Sequence, residues 1–98
     1  MFWACAQTQP QRERAAQHFL GQFGYETYLP RIRGVRHSHG KRIDTRQPLF
    51  PSYVFVAIVS GWWSARWAPG VTRFVMADGM PAHVPDQIID EIKRREVT

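Results

Sequence analysis

The sequence predicts an α+β domain, a four-stranded antiparallel sheet flanked by helices. Three observations lead there. The strand-forming run from Leu49 to Val59 carries no charge and has apolar residues on both faces. Two amphipathic helical stretches lie far apart, near residues 10–23 and 86–96. The strands between them do not alternate strictly with helices, which argues against a doubly wound parallel sheet.

The elements follow in order. Residues 2–7 read as a short first strand. Thr8-Gln9-Pro10-Gln11 has capping-box spacing with a proline in the first turn, so it predicts a helix start. That helix runs from about Pro10 to Phe23, with Ala15, Ala16, Phe19, Leu20 and Phe23 as its buried stripe. Gly24 is placed as a left-handed stop. Residues 25–33 read as a second strand in which Pro30 marks an edge or a bulge. Residues 34–47 are polar and basic, a mobile loop or an exposed hairpin. The third strand covers about 50–59. Residues 62–67, rich in Trp, predict one or two helical turns, two of their three tryptophans being expected in the core. Pro69-Gly70 signals a turn before a fourth strand at 71–76. Residues 77–85 form a loop with an Asp78-Gly79 turn. Asp86 is expected to cap a final helix to about Glu96, with Ile88, Ile89 and Ile92 on one face.

Ninety-eight residues suffice for one domain with its own core, without disulfides or metal. Cys5 is the single cysteine, so no internal disulfide is possible. It fits a reducing, cytoplasmic setting and reads as a small buried filler rather than a nucleophile. The sequence contains no 18-residue apolar run and no signal peptide at its start. The net charge is +5. Residues 1–83 hold ten Lys/Arg against four acids, and eleven of the thirteen basic residues of the chain are Arg. Arginine chelates phosphate through two parallel hydrogen bonds. Two readings of that charge stand at this point, a nucleic-acid neighbour or plain solubility.

On the third strand, Tyr53, Phe55 and Ala57 point to one side, and Val54, Val56 and Ile58 to the other. Core packing beneath helices and a surface for another protein both account for Tyr53 and Phe55. Catalysis finds no support. There is no Gly-rich phosphate loop, nucleophile elbow or paired-carboxylate spacing, and no cofactor is expected. His37-Ser38-His39 lacks a cysteine or carboxylate cluster beside it, so no metal site is expected.

Several segments together carry a family resemblance. They are Phe2-Trp3, Arg12-Glu13-Arg14 with His18-Phe19-Leu20, and Tyr28-Leu29-Pro30. Pro48-Leu49-Phe50-Pro51-Ser52-Tyr53-Val54-Phe55-Val56 follows, then Pro69-Gly70-Val71-Thr72-Arg73-Phe74-Val75 and Pro81-Ala82-His83-Val84-Pro85. In this order and spacing the chain resembles the N-terminal (NGN) domain of NusG-type transcription elongation factors, including RfaH-like members. The resemblance covers nearly all of residues 1–98, taken as a single domain. It implies a monomeric transcription elongation and antitermination domain that binds the clamp helices of the largest RNA polymerase subunit and suppresses pausing. It also implies that Phe50, Tyr53 and Phe55 line the polymerase surface and that Ile92 borders it. From the matching helix of RfaH-like relatives it implies contact of Arg14 and His18 with the non-template DNA strand, with Arg66 and Arg73 extending that patch. The family's KOW domain, which follows a linker, is not expected within this sequence. Where RfaH-like members carry His-Thr-Thr-Thr, this chain reads Gly61-Trp62-Trp63-Ser64.

A second reading is a small single-stranded RNA- or DNA-binding domain whose sheet aromatics stack bases beside basic loops. The uncharged third strand favours a protein partner over that reading. The basic run Arg31, Arg33, Arg36, Lys41, Arg42 and Arg46 is either a phosphate-facing arm or a solvated loop.

Overall fold

The computed structural model describes residues 1–96. In chain order the elements are β1 (Phe2–Thr8), α1 (Glu13–Gln22), β2 (Glu26–Tyr28), β3 (Arg31–Ser38), β4 (Lys41–Pro48) and β5 (Tyr53–Ile58). There follow a 3-10 turn (Ala65–Trp67), β6 (Val71–Phe74), β7 (Met76–Ala77), β8 (Met80–Pro81) and α2 (Asp86–Arg95). The main sheet has four antiparallel strands in the order β2-β5-β1-β6. The α+β expectation holds in that form. β1 and β5 pair from Phe2 opposite Ile58 to Gln7 opposite Tyr53.

The two-faced character of β5 is resolved by two helices. Val54, Val56 and Ile58 join Ala4, Ala6, Leu20, Trp62, Ala65, Ala68 and Phe74 in the larger core, beneath α1 and the 3-10 turn. Ala4 and Ala6 are fully buried, and their small side chains let α1 lie close. On the other face, Trp3, Phe55 and Ala57 pack on Ile89 of α2. The turn at Gly70 is also tight. A Cβ there would come within 3.1–3.2 Å of the Ala16 backbone, and its φ of +93° lies where side chains are strained.

Several local expectations need correction. Thr8 does not cap α1. It belongs to β1, its hydroxyl donates to the Gln9 carbonyl, and Gln11 turns through φ 61° before the helix begins at Glu13. Asp86 does not cap α2 either. Pro85 occupies that position and Asp86 lies in the first turn. The buried stripe of α1 is narrower than its periodicity suggests. Ala16 and Leu20 are buried, whereas Phe19 and Phe23 are exposed, because α1 meets the sheet only along one row. Ile88 is exposed for the same reason on α2. Of the three tryptophans at 62–67 only Trp62 is core. A 3-10 turn of three residues presents too little surface to bury Trp63 and Trp67.

Other expectations hold or gain detail. Gly24 adopts φ 93° and ends α1. Pro30 separates β2 from β3, and β2 is an edge strand of the sheet. Residues 31–48 form an exposed two-stranded hairpin rather than a loop. Its turn places His39 and Gly40 at φ 53° and 75°, the positive pair a two-residue type I′ hairpin requires. Asp78 and Gly79 do the same between β7 and β8.

Candidate functional site

The sheet face beneath α2 is only half covered, and the uncovered half begins with a turn. Phe50, Pro51, Ser52 and Tyr53 form a β-turn in which the Tyr53 N–H donates to the Phe50 carbonyl at 3.1 Å. Pro51 supplies its fixed φ at the second position. Ser52 holds φ 69° at the third, where glycine or asparagine is usual. Two contacts oppose that strain. The Ser52 N–H donates to the Glu13 carboxylate at 2.8 Å. The Ser52 carbonyl accepts the Thr8 N–H at 2.8 Å. Glu13 itself is buried, at 7% exposure, in the first turn of α1. So the first turn of α1 fixes the loop that presents Phe50 and Tyr53.

Beyond this turn lies a shallow apolar hollow of about 240 Å³ lined by Cys5, Phe50, Tyr53 and Phe55. Its occupants differ in exposure. Phe55 is 8% exposed and forms the floor, whereas Phe50 is 41% exposed and forms a wall. Their rings meet edge to face at 6.0 Å, and Tyr28 stacks on Phe55 at 6.3 Å. Tyr53 is half-buried. Burial pushes the Cys5 thiol up from 9.0 to about 11, so it is neutral here and adds to the apolar floor.

Tyr53 also borders a second, more open hollow of about 620 Å³, shared with Gln7, Trp67, Arg66, Arg73 and Val75 among others. Gln7 lies opposite both Tyr53 and Arg73 across the strands, so the three share one sheet face. The Arg73 Nε–H donates to Gln7 Oε1 at 2.8 Å, which aims the guanidinium along that face. The Arg66 guanidinium sits 4.6 Å from the ring centres of both Trp63 and Trp67. The two exposed tryptophans thus hold an arginine between them.

The eight expected residues therefore fall into separate groups. Phe50, Tyr53 and Phe55 share one hollow, and Arg66 and Arg73 share the next. Arg14 opens instead onto a different hollow with Gln11, Glu13, Gln47, Pro48 and Pro51. His18 is exposed on α1 and touches Phe19 edge to face. Ile92 does not line the Phe50 hollow. It opens onto a neighbouring one with Pro30, Ile32 and Leu49. That end of α2 is fastened to the sheet by a hydrogen bond from the Tyr28 hydroxyl to Glu96 and by Lys93, whose ammonium lies over the Trp3 and Tyr28 rings. Burial and then the Glu96 carboxylate raise the Tyr28 phenol well above its ordinary range.

Sequence reasoning missed Glu13, Gln7 and Cys5 as parts of this site. The signal for Gln7 and Cys5 was available, since alternation in β1 puts them on one face with Trp3. Glu13 had none, because its partner is a backbone N–H 39 residues away in sequence. Among the described residues, no group of three or more His, Cys, Asp or Glu side chains is placed to hold a metal ion. No described helix is long and apolar enough to cross a membrane.

No curated protein matches the chain at a significant level. A family model described as transcription termination factor NusG matches residues 1–93, and the chain belongs to that family of non-enzymatic transcription elongation and termination factors.

Proposed function

We propose that this domain docks on the clamp helices of RNA polymerase through the hollow of Cys5, Phe50, Tyr53 and Phe55 and thereby suppresses pausing. The observation that carries this reading is the apolar lining of that hollow on a sheet face α2 leaves open. Exposed aromatic walls around a preformed floor are what a protruding apolar side chain of a helical partner requires. Ile92 and Leu49, on the adjoining hollow, extend the apolar border.

The mechanism is differential binding. A factor that contacts the closed clamp more favourably than the open one shifts the polymerase towards the elongating state, and only by that difference. In this reading Arg66 and Arg73, which border the adjoining hollow, contact the exposed non-template strand. Arg14 and His18 approach it from α1. The test is transcription in vitro through a defined pause site. Added domain shortens the pause, and Tyr53→Ala abolishes the effect while the fold persists. A variant that still shortens the pause to the same degree contradicts the proposal.

The alternative, base stacking on the sheet, gains one specific observation. Trp63 and Trp67 are 59% and 69% exposed around Arg66, a platform suited to unpaired bases. It lies outside the aromatic floor of the sheet, so it adds to the docking reading rather than replacing it.

A further inference from the structure

Where the base of the β3–β4 hairpin meets the last turn of α2 lies another apolar hollow, of about 280 Å³. Pro30, Ile32, Leu49 and Ile92 supply its apolar lining, and Arg31 and Arg33 stand at its rim. The lining is held in place before any partner arrives. The Leu49 N–H donates to the Pro30 carbonyl at 2.7 Å, which closes the base of the hairpin. Ile92 is carried by α2, which Ile89 anchors on the sheet. Yet the surface is uncovered. Ile32 is 45% exposed, and Leu49 and Ile92 are half-buried.

The charges around this hollow are of two kinds. Arg95 and Glu96 also line it, and both are engaged elsewhere. The Arg95 Nε–H donates to Glu91 at 2.7 Å, and the Glu96 carboxylate accepts the Tyr28 hydroxyl. Arg31 and Arg33 differ. Among the described residues, neither side chain has a hydrogen bond or an ion pair. An apolar hollow with two free guanidinium groups at its edge is complementary to an aliphatic group with a carboxylate beside it. The planar fork of arginine takes a carboxylate through two parallel hydrogen bonds.

We propose that this hollow is a second anchoring point for the helical partner of the Phe50 hollow, and that it selects a helix whose aliphatic anchor has an Asp or Glu within one turn of it. The inference rests on the docking reading and adds the chemistry the partner must carry. Leu49 lines this hollow and Phe50, its neighbour in the chain, walls the other, so the two apolar surfaces adjoin. A helix offers anchors on one face at one or two turns, roughly 5–11 Å apart. Other occupants fit less well. A free aliphatic acid would stay largely in water, because the hollow is open and lies below the range of about 300–1,000 Å³ that encloses small ligands. A nucleic-acid strand would leave the apolar lining unfilled, and no aromatic residue lines the hollow to stack a base.

The test is calorimetric titration of the full chain with an isolated clamp-helix fragment, at low salt and at about 0.5 M salt. A second fragment carries amides in place of its acidic residues. Arg31→Gln/Arg33→Gln strips the rim. Arg36→Gln/Lys41→Gln removes equal charge near the hairpin tip, and Tyr53→Ala reports on the Phe50 hollow. Unchanged thermal midpoints verify that the variants fold. The expected result is that Arg31→Gln/Arg33→Gln weakens binding of the native fragment by roughly tenfold at low salt and by less than about threefold at high salt. Arg36→Gln/Lys41→Gln weakens it less than about twofold. The amide fragment binds the wild type and Arg31→Gln/Arg33→Gln equally, which a merely structural role for the arginines would not produce. Equal losses in the two double variants, or an amide fragment that still tells them apart from the wild type, would overturn the proposal. The docking reading would survive that outcome if Tyr53→Ala still weakens binding. No saturable binding of the wild type would overturn both. Octanoate and a short DNA duplex serve as competitors. Displacement of the fragment by either one, dependent on Arg31 and Arg33, would give the hollow a different occupant and overturn the proposal.

Discussion

Replacing Glu13 with alanine tests how the docking turn is held. The buried carboxylate accepts the Ser52 N–H at 2.8 Å, while Ser52 sits at φ 69°. Removing it deletes a charge-assisted hydrogen bond and leaves a part-buried N–H without its acceptor. Such losses are about 1.5–3 kcal/mol. In a domain of 98 residues, about 2 kcal/mol lowers the melting midpoint by roughly 8–16 °C. Glu13→Gln keeps an acceptor of similar shape and should lose about half as much. Thermal unfolding followed by far-ultraviolet circular dichroism reads both. The position has a second, local readout. Phe50 and Tyr53 depend on this turn, so Glu13→Ala should also loosen the Phe50–Phe55 ring contact, visible as collapsed chemical-shift dispersion of the two rings at temperatures where the rest of the domain stays folded. A midpoint for Glu13→Ala within 2 °C of the wild type would refute the reasoning and show that the turn stands without the carboxylate.

Two further outcomes follow from the fold. Gly70→Ala places a methyl group against the Ala16 backbone at a φ of +93°, and should destabilise the domain by about 2 kcal/mol or more in urea unfolding. The Cys5 thiol is raised to about 11 in the folded state from an unfolded value near 9.0. The unfolded chain therefore releases its proton first as pH rises. The contribution of Cys5 is complete below pH 9 and is lost progressively between pH 9 and about 11. Urea midpoints of the wild type should fall more steeply over that window than those of Cys5→Ala.

The legible parts of the fold were those written in alternation and turn chemistry. The two faces of β5 were readable because Val54, Val56 and Ile58 alternate with Phe55 and Ala57, and both sets are buried. Gly24 and the Asp78-Gly79 turn were readable from residue type, and Gly24, Asp78 and Gly79 all take positive φ. The helix start was misread because Thr8-Gln9-Pro10-Gln11 satisfies a local capping pattern, but tertiary pairing of Thr8 with Val71 kept it in the sheet. Helical periodicity marked Phe19, Phe23 and Ile88 as apolar but could not say how wide a stripe the sheet would cover. The candidate site was half legible. Phe50 and Tyr53 share a hollow because they bracket one turn, and Arg66 and Arg73 come together across chain segments. The separation of Arg14 and Ile92 into other hollows depends on helix placement, which no short-range pattern encodes.

The central claim, that the Phe50–Tyr53–Phe55 hollow docks on the polymerase clamp helices, is tested most directly by titrating the domain with an isolated clamp-helix fragment. Phe50→Ala and Tyr53→Ala are the informative variants, because these side chains are exposed or half-buried and their loss spares the core. Phe55→Ala serves as the contrast. Its side chain is 8% exposed, and its removal should destabilise the fold itself by about 3 kcal/mol or more. The account predicts saturable binding that Tyr53→Ala weakens by roughly thirty-fold, corresponding to about 2 kcal/mol, with little change in thermal midpoint. No saturable binding, or binding indifferent to both Phe50→Ala and Tyr53→Ala in folded protein, would contradict it.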